Sequence, residues 1–232
     1  MVVASFQGRD FCESEFNCKF VDMDIQLITS FLVASVILTL MPGPDNIFVL
    51  SESLTKGKRN GLAISLGLSL GLIVHTIAAA SGLSIVIQKS AVAFSIIKYL
   101  GAAYLFYLAY QATKEKTTGT DINLEALQQN EENVKPLIRK GFLMNILNPK
   151  VSLFFIAFFP QFVTADGFHI ALQMIILGLI FMLQAMLIFS SISLLSGRLS
   201  KYVRNPRFWK VTKWTKFSVL SLLGLTLAVA KK

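Results

Sequence analysis

Three small constellations in this chain carry groups that can bind or move charge. The first is Pro42-Gly43-Pro44-Asp45-Asn46, a carboxylate beside a segment that no helix can cross unbroken. Proline lacks an N–H and clashes with the turn before it, so two prolines flanking a glycine end any helix that reaches them. The second is Asn145-Ile146-Leu147-Asn148-Pro149-Lys150, where Asn148 can cap a new helix and Pro149 suits its first turn. The third is Gly67-x3-Gly71-x3-His75. At four-residue spacing these share one helix face, small enough for close helix approach, with an imidazole in the seam. Asp45 can carry a proton or meet an ammonium group, and His75 can titrate near neutral pH. Lys150 can pair with Asp45 or face an aqueous vestibule. The plainer readings are helix capping for Asp45 and Asn148, bonding to freed backbone for Asn145, and an interhelical hydrogen bond for His75.

The elements that position these groups are strongly apolar. Of 232 residues, 54% are hydrophobic and 15% charged, where a soluble domain carries about 25% charge. Residues 60–88 and 167–197 contain no Asp, Glu, Lys or Arg, and each run exceeds the roughly 20 residues that cross a bilayer core. That excludes an ordinary soluble enzyme. The formal net charge of +9 lies between apolar runs, which reads as loop charge facing anionic lipid rather than as a nucleic-acid footprint. The chain is therefore expected to be an all-α integral membrane protein in contact with the bilayer. Six spans are predicted, at 25–50, 61–87, 91–111, 141–163, 169–196 and 211–230, with the first and fourth broken at the proline motifs. In the sixth, Lys210, Lys213 and Lys216 would snorkel, with Trp209 and Trp214 as an interfacial belt.

Loop charge orients the bundle. The loops after spans one, three and five hold thirteen Lys and Arg, from Lys56 to Lys210, against five on the other side. The positive-inside rule then places both termini outside. The domain organisation expected is an N-terminal extension over 1–22, a three-helix half over 23–112, a cytoplasmic linker over 113–140 and a second half over 141–232. An odd number of spans per half inverts the second relative to the first, and each half interrupts its first helix. Backbone unwound at membrane depth is tolerated where it lines a cavity, and half-helix N-termini there suit a carboxylate. Both cysteines, Cys12 and Cys18, lie in the extension, and their spacing fits no zinc or haem site.

Several further runs accompany the two proline motifs. Residues 39–50 read TLMPGPDNIFVL, followed by Gly57-Lys58-Arg59-Asn60-Gly61-Leu62, the Gly67/Gly71/His75 helix, Leu100-Gly101-Ala102-Ala103-Tyr104-Leu105, and residues 141–150, GFLMNILNPK. Together they resemble the LysE/RhtB-type amino-acid exporters, the lysine exporter and homoserine/threonine resistance translocators. The resemblance covers nearly everything from Met23 onward, and residues 1–22 depart from the short start usual in the family. It implies a bacterial inner-membrane protein that exports amino acids or close derivatives by exchange with protons, without a cofactor.

On this reading Pro42, Gly43, Pro44, Asp45, Asn46, Asn145, Asn148, Pro149 and Lys150 are the candidate substrate-binding residues. Asp45 and His75 are the candidate proton carriers, and Gly67 and Gly71 the candidate packing residues. Gln184, and Gln161 after Pro160, are weaker candidates, and Phe154, Phe155, Phe158 and Phe159 read as lipid-facing or packing bulk. A small-residue seam serves contacts within one chain or between copies in a homo-oligomer equally well. The alternative function is an ion or other small-solute transporter or channel on the same scaffold. Gly67-Leu68-Ser69-Leu70-Gly71 matches G-x-S-x-G, but a nucleophile elbow needs a strand-to-helix turn and this run lies within an apolar helix. No metal-ligand cluster, phosphate loop or dinucleotide fingerprint is present in the sequence.

Overall fold

The computed structural model describes residues 25–114, 133–164, 169–203 and 205–230. The N-terminal extension with Cys12 and Cys18, and most of the linker, lie outside the described residues. Every described element is helical. In chain order these are α1 (Ile25–Leu40), α2 (Pro44–Thr55), α3 (Lys58–Ala78), α4 (Ser84–Lys89), α5 (Ala91–Lys114), α6 (Val134–Ile146), α7 (Pro149–Leu153), α8 (Ile170–Leu194), α9 (Ser196–Val203) and α10 (Pro206–Val229). A π-helical turn, Ala79–Leu83, joins α3 to α4, and another, Phe154–Phe158, continues α7.

By length and composition, three helical stretches can cross a bilayer: Lys58–Val86, Ala91–Lys114 and Ile170–Leu194. Two further pairs qualify when each is taken as one broken span: α1 with α2, bent by 57°, and α6 with Pro149–Phe162, bent by 48°. That makes three to five apolar spans among the described residues, where the sequence predicts six. The predicted sixth is present as α10 but is not among those long and apolar enough, because Arg207, Lys210, Lys213 and Lys216 fall in its first half. Boundaries also shift. The helix carrying the second motif starts at Val134 rather than 141, because Asn133 caps it by accepting from the Lys135 N–H. Similarly, Asn205 caps α10 ahead of Pro206.

The outer surface is apolar and the interior is mixed, the reverse of a soluble protein. Val33, Leu183 and Leu187 are more than half exposed, whereas Asp45, Asn145, Gln173 and Gln184 are buried. An apolar exterior suits hydrocarbon, where exposed polar groups are costly. Inside, Phe31 meets Phe154, Phe159, Phe162 and Phe181, and the Phe155 ring lies 5.5 Å from that of Phe181 at an interplanar angle of 6°. Phe154, Phe155, Phe158 and Phe159 are all buried. They are packing bulk, and the lipid-facing reading is corrected: the wider π turn over Phe154–Phe158 and the tighter turn from Phe159 change the helical period, so all four rings face inward.

Close contacts fix the helix directions. Gly67 abuts the backbone of Ile138 and Phe142, and Gly71 abuts Asn145, so α3 and α6 run parallel. Ser193 reaches the Lys58 carbonyl while Gly178 meets Thr76, so α3 and α8 run antiparallel. Lys98 donates to the carbonyl of Ala230 (3.0 Å) and Gly101 lies against Leu227, so α5 and α10 run antiparallel. Lys98, a charge in an apolar helix, thus serves the C-terminal carbonyl of its neighbour.

Candidate functional site

The first break follows from missing donors. In an α-helix the N–H of residue i+4 bonds the carbonyl of residue i, so Pro42 leaves the Leu38 carbonyl without its partner and Pro44 leaves that of Leu40. Side chains stand in for the absent N–H groups. Asn46 Nδ2 donates to the carbonyls of Thr39 (3.0 Å) and Leu40 (3.4 Å). Lys150 Nζ, from the second motif, donates to those of Leu38 (3.1 Å) and Met41 (3.4 Å). α2 then begins with Gly43 as an extended N-cap, which makes no side-chain cap bond, and Pro44 in the first turn. Asp45 therefore does not cap α2.

The second break caps itself. Asn148 Oδ1 accepts from the Lys150 backbone N–H at 3.0 Å, and Pro149 occupies the first turn of α7. The amide's other end crosses to the first motif, where Nδ2 donates to Asp45 Oδ2 at 2.6 Å. One asparagine thus starts α7 and holds the carboxylate of the opposite half. Of the two roles open to Lys150, direct pairing with Asp45 is not the one found, since its ammonium rests on the α1 carbonyls.

Two cavities flank this junction. The smaller, of about 10 Å³, is lined by Leu38, Thr39, Asp45, Leu72, Asn145, Lys150 and Phe181 among others, and has room for about one water. Asp45 is 2% exposed and Asn145 1%, and each has a buried oxygen, Oδ1, without a hydrogen-bond partner. The larger, of about 330 Å³, is lined by Pro42, Gly43, Pro44, Asn148, Pro149 and Lys150, with Gln111, Lys216 and Leu220. That is within the size range of small-ligand sites. Lys150 lines both.

The remaining predicted residues take other places. Pro42 and Asn46 also line an apolar cavity of about 220 Å³ with Leu50, Tyr202, Phe208 and Trp209. Trp209 donates its indole N–H to the Val203 carbonyl, so of the predicted aromatic belt Trp214 alone is largely exposed. His75 lines neither cavity beside the junction. Its Nε2 lies 3.3 Å from the Asn145 carbonyl and its ring stacks on Phe155. Gln161 has a buried Nε2 without a partner. Ser69 sits in mid-α3 with its hydroxyl on the Ser65 carbonyl, which disposes of the G-x-S-x-G coincidence.

Sequence reasoning missed several participants. The Leu38 and Met41 carbonyls carry no side-chain signal, although a carbonyl four residues before a proline can always be asked for its donor. Thr39 was missed as the partner of Gln184, a weaker candidate that donates to Thr39 Oγ1 at 2.9 Å and links α8 to the end of α1. Glu52, buried and 3.5 Å from Lys56, could have been found as a second acid seven residues after Asp45, on the same helix face. Nothing in the sequence marks Gln111, and Lys216 reads there only as a snorkelling lysine of the sixth span.

A buried acid, a cation and carbonyls that take side-chain donors in place of helical ones meet at two facing helix breaks, and this junction is the candidate site. A model of the LysE type translocator family matches residues 36–231. The chain belongs to the LysE type translocators. This translocator is 34% identical over 205 residues to the uncharacterized membrane protein YrhP of Bacillus subtilis, covering 85% of this chain and 95% of that one. It is 31% identical over 211 residues to an uncharacterized membrane protein of Vibrio cholerae, covering 90% of this chain and all of its relative. A homoserine/homoserine lactone efflux protein of Salmonella typhi is 31% identical over 202 residues, 87% of this chain and 96% of that one. No solved structure matches the chain. As a LysE type translocator it is a multi-pass membrane protein and a transporter, not an enzyme.

Proposed function

We propose that this translocator exports a small amino acid or close derivative of the homoserine class across the bacterial inner membrane, by alternating access with proton antiport. The observation that carries the reading is the meeting of the two breaks, where Asn148 holds Asp45 and both motifs line one cavity of about 330 Å³. A zwitterion needs a cationic and an anionic partner. The N-terminus of α7 suits its carboxylate, while Asp45 and the carbonyls at the end of α1 suit its ammonium. Asp45 is the proposed proton carrier, as an acid at membrane depth with one oxygen unpartnered. His75, held on the Asn145 carbonyl, would follow movements of the second break.

The proposed architecture is six spans in two inverted halves, with both termini outside. The antiparallel run of α10 along α5 supports α10 as the sixth span. The helix contacts support the inversion. Exchanging the halves turns the α1/α8 pair into the α6/α3 pair and leaves the α3/α8 and α5/α10 pairs unchanged. The test is efflux from cells preloaded with labelled homoserine and other amino acids, comparing wild type, Asp45→Asn and empty vector, with and without a protonophore. Faster homoserine loss with wild type alone, stopped by the protonophore, is the expected result. Efflux insensitive to both the mutation and the protonophore would end the antiport reading. Ion flux without amino-acid dependence would move the assignment to an ion or small-solute channel.

A further inference from the structure

We propose that the ε-ammonium of Lys150 is a tethered stand-in for the substrate's own ammonium group, displaced from the carbonyls of Leu38 and Met41 when an ammonium-bearing solute binds. The transport part of this inference rests on the exporter reading above. The acceptor set is built for a cation with N–H donors. The Leu38 carbonyl is orphaned by Pro42, and the last carbonyls of α1 present the negative end of its dipole. In the resting chain Lys150 Nζ fills this place at 3.1 and 3.4 Å. The break closes around it, since a Cβ added to Gly43 would stand 3.5 Å from Nζ.

Two observations mark the contact as exchangeable rather than merely structural. Lys150 lines both the small cavity that holds Asp45 and Asn145 and the larger one at the two proline motifs, so its head has space beyond the carbonyls, with Gln111 and Asn148 among the lining of the larger. A lysine head on a four-carbon stem is a compact cation without the fixed fork of arginine, and so is suited to letting go. The small cavity also keeps two acceptors open, Asp45 Oδ1 and Asn145 Oδ1, both buried and without partners. An ammonium arriving on a substrate can take the α1 carbonyls together with these acceptors. Lys150 is then freed toward the larger cavity. The empty carrier keeps its acid compensated by the tethered cation, and the loaded carrier by the substrate.

Purified wild type and Lys150→Met are compared by thermal unfolding in methylammonium and in tetramethylammonium, which has the charge but no N–H. The expected result is a rise in Tm of several degrees for Lys150→Met with methylammonium alone, and a much smaller rise for wild type, whose own ammonium must first be displaced. Equal responses of the two proteins, or no response of the variant, overturn the proposal. In homoserine efflux the KM should fall several-fold in Lys150→Met, where the competitor is gone. It should rise in Lys150→Arg, whose fixed guanidinium fork holds the same two carbonyls more firmly than an ammonium does. A lysine that only binds the substrate carboxylate reverses the first sign and leaves the second unchanged. If Lys150→Met does not accumulate, the KM of Lys150→Arg decides by itself. If wild type moves no homoserine, the exporter reading fails, while the thermal comparison still tests the tethered cation.

Discussion

The two helix breaks solve the same problem in opposite ways. At the second, Asn148 caps α7 with its own oxygen and has its amide N–H to spare for Asp45. At the first, Gly43 offers no side chain, two prolines remove donors, and Asn46 and Lys150 make up the loss, one from within the motif and one from the other half of the chain. The second break is locally complete, and the first depends on the second for both its carbonyls and its acid. A solute that disturbs Lys150 or Asn148 therefore disturbs both halves at once, which is what coupling two halves of a transporter requires.

Replacing the acid tests that dependence most severely. Asp45→Asn keeps an oxygen for Asn148 Nδ2 and removes the charge, so the protein should remain in the membrane while efflux falls to the empty-vector level. Removing the shared asparagine comes next. Asn148→Ala loses a cap and the partner of a buried carboxylate, together about 3 kcal/mol, read by denaturant unfolding of purified protein. Asn46→Leu should cost about 2 kcal/mol by leaving the Thr39 and Leu40 carbonyls unpaired, and unlike Asn148→Ala it should leave the second break unaffected. Smallest is Gly43→Ala. Its backbone is extended, at φ −148°, and the added Cβ meets Lys150 Nζ at an ordinary 3.5 Å. A change within about 0.5 kcal/mol is expected, and a large loss there would show that the first break has a local requirement like the second.

Much of the molecule was legible in advance because bilayer physics writes it into composition. Long uncharged runs announce spans, and prolines within them announce breaks. The shortfall is confined to the ends. α10 carries four basic residues in its first half, so its apolar part is too short to pass as a span by composition, although it lies along α5. The extra turns of α6 from Val134 to Lys140 are charged and read as linker, yet Asn133 caps them into the same helix. Of the site, the two motifs were legible and their mutual contacts were not. Spacing along the chain says nothing of which side chain answers which carbonyl.

The sequence by itself determined that the chain enters a membrane as helices, that two of them break, and which titratable groups sit at those breaks. These follow from residue type alone, through missing N–H groups, apolar length and the cost of charge in hydrocarbon. Only the tertiary structure decided that Asn148 rather than Lys150 meets Asp45, that Lys150 rests on the α1 carbonyls, and that His75 faces Asn145 and Phe155 rather than either cavity beside the junction. Those choices depend on how α1, α3 and α6 pack. Each is settled by a few ångströms of approach between residues as many as 112 apart in sequence, a scale on which local pattern carries no information.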